Sequence, residues 1–366
     1  MKQYIAFSLL VLMTQLVNAD SLPLEKLHLP KGLTVSVYAR VPYARQMALG
    51  DKGIVYVGSA GDKVTALVPS KDLTQAKETK LVATGLNTPN GVAYHNNALY
   101  IAEIQRIIRL NNIQLGGNNK YELVTDDLPD KTWHGKRVIH FGPDDYLYVG
   151  MGVPCNTCLS KDKRLGTILR RKVDDSHWQI FADGIRNTVG FDWQPQTGVL
   201  WFSDNGQDWM GDELPPDEIN RAPKPGLNFG FPYVYGSNIP SPQHYPIPDN
   251  LMMKKPAWLL PAHVAPLGIH FYKDNFLAKQ FHKKLLICEH GSWNRSKKIG
   301  YRITSLTVNN GVASQYQVEI DGWKDDNGKV WGRPVDIIQM PDGALLISDD
   351  FAGAIYRVAK SSVPSR

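Results

Sequence analysis

The chain has 366 residues, 43% of them hydrophobic, and 41 Lys and Arg against 35 Asp and Glu give a formal charge of +6. That mild surplus is spread without a basic run, so it lends no support to nucleic-acid binding. Three cysteines exclude a four-cysteine zinc site, and no stretch provides the roughly 18 uninterrupted apolar residues of a membrane helix.

The chain starts MKQYIAFSLLVLMTQLVNAD, with one lysine, the apolar run IAFSLLVLM and then Val17-Asn18-Ala19. This layout predicts a secretory signal over residues 1–19, leaving residues 20–366 as a single exported domain in the periplasm or outside the cell. Loss of the signal removes only Lys2, so the mature charge is +5.

LTVSVYAR, residues 33–40, follows as a β-like run with no partner nearby. From Ala44 a unit recurs: an apolar or alternating run, a turn rich in Gly, Asn, Asp or Pro, and a second apolar run. Such pairs read as hairpins. Equivalent positions Met47, Val92, Val138, Phe191, Ile269 and Val335 are spaced 45, 46, 53, 78 and 66 residues apart. Four-stranded propeller blades recur at about 40–50 residues. Insertions at 209–236 and 241–256 account for the later excess. The expected fold is all-β, a six-bladed β-propeller with four-stranded antiparallel blades. Runs such as TKLVATG and HWQIFADG supply fourth strands, but GAIYRVAK ends the last unit with none after it. Residues 33–40 are therefore predicted to complete the last blade and close the ring, removing two exposed edges.

Between the third and fourth units lie Cys155 and Cys158 in CNTC, while Cys288 stands alone. Export favours a structural Cys155–Cys158 bridge and a reduced, apolar-packed Cys288.

In a propeller, the loops at one end of the axis bring together residues distant in sequence. The starts of the inner strands carry Arg45-Gln46, Asn90, His134, Arg186-Asn187 and Arg333; the following strands end at Asp204-Asn205-Gly206 and Glu289-His290-Gly291. Three arginines and two histidines at one mouth suit an anionic ligand, because guanidinium matches carboxylates bidentately. Pairing with neighbouring acids is the alternative for each arginine taken singly.

The stretches KTWHGKRVIHFGPDDYLYVGMG (from Lys131), GIRNTVGFDW (from Gly184), SDNGQDWMGDELPPDEIN (from Ser203), GLNFGFPYVYG (from Gly226), CEHGSWNRSKKIGYRI (from Cys288) and GRPVDIIQMPDGALLISDD (from Gly332) resemble the soluble PQQ-dependent sugar dehydrogenases, particularly the sorbosone dehydrogenase branch. The likeness extends from Gly32 to Val358 and implies the same six-bladed fold. It implies oxidation of a sugar or sugar aldehyde, with PQQ and calcium as cofactors and a quinone or cytochrome as electron acceptor. His134 matches the general base that takes the hydroxyl proton as hydride passes to PQQ, and Gly135 beside it leaves room for close approach of a substrate. Arg186 and Asn187 match the catalytic and cofactor-contacting pair, and Arg333 a ligand of a PQQ carboxylate. Arg45 and His290 fall near further cofactor contacts. Gly206 and Gln207 match main-chain calcium ligands, and Asp208 beside them is expected to join the metal site. The acidic run Asp204, Asp208, Asp212, Glu213, Asp217 and Glu218 reads either as support for that ion or as a solvated loop. Val189 stands where glucose-oxidising members carry glutamine, which argues against glucose.

Two other readings fit the repeats: a calcium-dependent lactonase, and a non-catalytic propeller that binds a glycan or another ligand. Neither requires cations arrayed for a tricarboxylate, so His134, Arg186, Asn187 and Arg333 together favour the oxidoreductase.

Overall fold

In the computed structural model, which describes residues 22–117, 119–273, 277 and 281–361, the six repeats become six blades. The signal segment read at 1–19 lies outside the described residues. Blade 1 comprises Ala44–Leu49, Val55–Ser59, Val64–Pro69 and Ala76–Ala83, and blade 2 Gly91–His95, Ala98–Ala102, Ile107–Asn111 and Glu122–Thr125. Blade 3 runs through Ile139–Phe141, Leu147–Met151, Thr167–Arg171 and Gln179–Asp183, with Leu227–Asn228 added in parallel as a fifth strand. Blade 4 is Phe191–Trp193, Leu200–Asp204, Pro216–Ala222 and Trp258–Ala262, and blade 5 Pro266–Phe271, Lys284–Glu289, Arg302–Asn309 and Val312–Ile320. Blade 6 has Pro334–Gln339, Leu345–Asp349 and Ala354–Lys360, and its outer strand is Leu33–Arg40. The orphan N-terminal run thus pairs antiparallel with the last strand, Leu33 opposite Lys360 and Arg40 opposite Ala354.

One correction concerns the insertions. Pro216–Ala222, read as part of an inserted segment, is the third strand of blade 4. The added chain is what separates it from Trp258–Ala262, including the small hairpin Val234–Tyr235 with Ile239–Pro240.

Burial explains why these sequences form blades. The second strand of every blade is buried along its whole length, as in VYVGS, ALYIA, LYVGM, LWFSD, KLLICE and LLISD. Such strands are covered on both faces and favour β-branched and aromatic side chains. The outermost strands alternate or face solvent, as AKETKLVA does. The core consists chiefly of six apolar clusters, each lying between adjacent blades; the one joining blades 6 and 1 unites Met340, Leu346 and Ile355 with Met47, Val55 and Val57. No blade can bury its faces alone, so stability resides in the closed ring.

Near the axis the blades approach too closely for side chains. A Cβ on Gly190 would lie 2.1 Å from the Leu267 carbonyl oxygen of blade 5. Polar side chains then tie blade to blade. The Gln46 amide donates to the Ile139 carbonyl (2.7 Å) and accepts from the Ile139 and Val92 N–H groups (3.1 and 3.3 Å), linking blades 1, 2 and 3.

Candidate active site at one end of the axis

A cavity of about 580 Å³ opens where the predicted residues meet. His134, Arg186, Asn187, Arg45, His290, Arg333, Gly206 and Asp208 all line it. Gln207 does not: its buried side chain accepts a hydrogen bond from the Tyr235 hydroxyl.

His134 stands on the loop leading into blade 3 with φ of 53°, a left-handed conformation uncommon for a non-glycine residue. The loop is held by Arg137, which is fully buried and donates to the carbonyls of Ile104 (3.0 Å) and Pro129 (2.6 Å). Burial lowers the Arg137 pKa to about 10, so it remains a cation at neutral pH. Gly135 lines the cavity, and the turn itself also requires glycine there, since a Cβ would lie 2.3 Å from the Lys131 carbonyl oxygen. Gly152 is what makes room beside the imidazole, since a Cβ there would lie 2.5 Å from the His134 Cβ and 2.6 Å from the Asn187 Oδ1.

The hydrogen bonds fix the tautomer of His134. Its Nδ1–H donates to the Val153 carbonyl at 2.7 Å, leaving the lone pair on Nε2. Nε2 accepts the indole N–H of Trp133 at 3.1 Å. Burial, and then the charge of Arg186, lowers the pKa of His134 to about 3. The ring is therefore neutral and basic at Nε2 throughout the neutral range.

Arg186 is held from several sides. It donates to the Asn156 carbonyl (2.8 Å) and Oδ1 (2.9 Å), to the Asn205 carbonyl (3.2 Å) and to Asp208 (2.9 Å). Asn156 lies inside the Cys155–Cys158 disulfide loop, which gives that bridge a place in site architecture. Cys288 is free and buried. The Asp204 carboxylate accepts the main-chain N–H groups of Arg186 (3.0 Å) and Asn187 (2.7 Å), setting where both side chains begin.

The acidic run divides: Glu213 faces solvent, Asp208 and Asp212 are partly buried, and the remaining three carboxylates point inward. Asp204, Asp217 and Glu218 are buried. Asp217 accepts from the main chain of Gly206 (2.7 Å) and Ala265 (2.8 Å), and Glu218 from that of Gly236 (2.7 Å). Burial raises the pKa of Asp217 to about 6; burial, then the charge of Asp204, raises that of Glu218. Among the described residues no three His, Cys, Asp or Glu side chains are arranged to hold a metal ion.

The arginines differ in their partners. Arg45 pairs with Asp350 at 2.8 Å and Asn90 at 2.8 Å. His290 donates Nε2–H to the other oxygen of Asp350 at 2.9 Å, and burial lowers its pKa to about 4. Arg333 donates only to carbonyls, of His290 (3.1 Å) and Gly291 (3.0 Å), and has no ion pair among the described residues. Asp350 was missed in the sequence, although its place in LLISDD, just past the second strand of blade 6, is the position that supplies site residues in blades 4 and 5.

The structure is thus a six-bladed propeller in which His134 and four cationic side chains, Arg45, Lys136, Arg186 and Arg333, face one axial cavity. A family model described as glucose/sorbosone dehydrogenase matches residues 102–360, and the chain belongs to that family. An uncharacterized protein of Borreliella burgdorferi is 35% identical over 353 residues, covering 91% of this chain and 90% of that protein. The fold is shared with the PQQ domain of a pyranose dehydrogenase from Coprinopsis cinerea in its holo form (TM-score 0.76, 16% identity, 91% and 97% of the two chains). It is shared also with a PQQ-bound aldose sugar dehydrogenase from Streptomyces coelicolor (TM-score 0.62, 19% identity, 91% and 100%). A third is a calcium structure of a family AA12 carbohydrate-active enzyme from Trichoderma reesei (TM-score 0.76, 18% identity, 92% and 97%).

Proposed function

We propose that this protein is an exported, PQQ- and calcium-dependent dehydrogenase of a sugar or sugar aldehyde, with His134 as general base. The observation that carries the reading is Arg333, a cation facing the cavity whose hydrogen bonds go only to neutral carbonyls. A half-buried guanidinium without a carboxylate is costly unless an anion joins it. A tricarboxylate fits that requirement, with Arg45 and Lys136 lining the same cavity.

The residues divide the work as follows. Arg333, with Arg45 beside it, would hold cofactor carboxylates, and Asn187 a further polar edge. The bound quinone supplies the two-electron acceptor for hydride leaving the sugar carbon. His134 takes the hydroxyl proton at Nε2, because Nδ1 is committed to Val153. Arg186, held by Asn156 and Asp208, would present positive charge where negative charge develops on oxygen. Calcium would rest on main-chain oxygens of Gly206 and Gln207, since the Asp208 carboxylate is already engaged with Arg186. Val189 lines the cavity, giving an apolar wall where glucose-oxidising relatives are expected to place an amide.

The test is titration of the protein with PQQ in the presence of calcium, followed by dye-linked oxidation of a panel of sugars and sugar aldehydes. Arg333→Ala should weaken PQQ binding by about 1.5–3 kcal/mol, the scale of a hydrogen bond to a charged group. Absence of PQQ binding by the wild type would end this reading.

A further inference from the structure

Two tryptophans at the rim of the cavity are exposed where burial would be expected. Trp209 is 72% and Trp293 63% exposed, and their rings meet edge to face with centroids 5.1 Å apart. They stand on loops from different blades, Trp209 after the second strand of blade 4 and Trp293 after that of blade 5. Trp293 lines the cavity, and so does its neighbour Asn294. Large apolar side chains left clustered in water mark a binding surface more often than a chance exposure.

The pair is also held in place. Trp209 has φ of 70°, strained for an aromatic residue. Asp208 before it exchanges hydrogen bonds with Asn156, donating N–H to Oδ1 (2.8 Å) and accepting Nδ2–H at its carbonyl (3.0 Å). Past it, the Gly211 carbonyl accepts from His263 Nε2 (2.8 Å). The two loops are bound to each other, because Ser296 N–H donates to Asp212 (2.9 Å) and Arg295 reaches both the Asp212 carbonyl and Glu213. Neither exposure nor strain stabilises the fold, yet the surroundings maintain both. Such over-determined strain is characteristic of binding and catalytic sites.

Resting on the sugar-oxidising reading, we infer that Trp209, Trp293 and Asn294 form a second saccharide subsite, so that the substrate is a glycosidically extended sugar whose next ring lies on the rim. The axial C–H groups of a pyranose carry partial positive charge and match the electron-rich face of an indole. Indoles also make contact area at little conformational cost, having only two side-chain torsions. Asn294 supplies the polar complement. Both its Nδ2 and its Oδ1 are without a hydrogen-bond partner, so a turn of the amide towards a sugar diol breaks no existing bond. With one ring beside His134 and a cofactor on the arginines, the rest of a chain has only the rim to occupy.

The test uses the PQQ- and calcium-loaded protein with a panel of monosaccharides, maltose and cellobiose as oxidisable probes, and methyl β-cellobioside as a probe that the blocked anomeric carbon protects from oxidation. Methyl β-cellobioside should shift and quench tryptophan fluorescence in the wild type, and Trp209→Ala should weaken that binding roughly five- to tenfold, the scale of one aromatic contact. The ratio of kcat/KM for disaccharide over the best-oxidised monosaccharide should fall by a similar factor in Trp209→Ala and Trp293→Ala, and recover in Trp293→Phe, which keeps an aromatic face. Trp209 is mostly in solvent, so its loss leaves the core intact. Glycoside binding without oxidation of any sugar would uphold the subsite and overturn the dehydrogenase reading. Oxidation with an unchanged disaccharide ratio in all variants would overturn the subsite alone. A change confined to the KM of the dye would assign the indole pair to the electron acceptor and also overturn it.

Discussion

The Asp350 carboxylate lies 2.8 Å from the Arg45 guanidinium across 305 residues of chain, joining the start of blade 1 to the end of the second strand of blade 6. Burial alone would raise the Asp350 pKa, but the hydrogen bond from His290 and the charge of Arg45 outweigh it and hold the group well below the usual carboxylate range. A group depressed in the folded state stabilises above its unfolded pKa and loses that contribution as pH falls through the folded value. Asp350→Asn should therefore lower stability at pH 7 by about 1.5–3 kcal/mol, with the deficit shrinking below about pH 4. Chemical denaturation at several pH values measures it; an equal deficit at pH 7 and pH 3 would contradict the assignment.

The indole N–H of Trp133 donates to the lone pair of His134 Nε2 at 3.1 Å, the atom proposed above to take a proton. Donation to Nε2 stabilises the neutral imidazole, so Trp133→Phe, which keeps the ring and removes the N–H, should raise the His134 pKa from its depressed value near 3. Nitrogen chemical shifts of the imidazole report this directly. No movement of the Nε2 resonance would show that the contact does not persist in solution.

His134→Gln keeps a polar side chain of similar reach and removes the proton acceptor. PQQ affinity should be retained, while single-turnover reduction of the bound cofactor by an accepted sugar falls about 10²–10⁴-fold. A loss below tenfold would return His134 to a structural role.

Glu218 is buried, and burial together with the Asp204 charge raises its pKa in the folded state. Its contribution is fully present below the unfolded pKa near 4.5 and is lost as pH rises through the folded value. Gln mimics the protonated form. The melting temperature of Glu218→Gln, measured with a calcium chelator present, should gain on the wild type steadily from pH 5 to pH 8. A constant difference across that range would mean that Glu218 is ionised in the fold without penalty.

The blades were legible because each half-buried hairpin repeats the same apolar pattern and turn chemistry, and because residues 33–40 had nothing else to pair with. The gathering of His134, Arg186, Asn187 and Arg333 was legible for a related reason: the starts of inner strands share one end of the axis. Counter-charges were not. Asp350 and Asp208 choose their arginines through side-chain geometry at blade ends, and Asp350 meets Arg45 only after the ring has closed. The acidic run from 204 to 218 looked uniform in sequence, yet the strand Pro216–Ala222 runs through it and carries Asp217 and Glu218 inward. Composition cannot distinguish a carboxylate that braces main-chain amides from one that faces water. Gly152 was not legible either: it is distant from His134 in sequence, and only the contacts of a hypothetical Cβ show that it makes room beside the imidazole.

The pairing of Leu33–Arg40 with Ala354–Lys360 also imposes a timetable on the nascent molecule. A chain that emerges N-terminus first presents its earliest strand and must then wait for its last. Until Ala354–Lys360 is released, Leu33–Arg40 lacks its partner strand, and the cluster between blades 6 and 1 lacks Ile355. The early hairpins can form locally, but the unpaired stretch at 33–40 is meanwhile open to foreign strands. Vectorial delivery thus makes the emergence of Ala354–Lys360, and not the formation of any single earlier blade, the event that closes the ring. A ribosome stalled before residue 354 would release a product with most of its hairpins and an open ring.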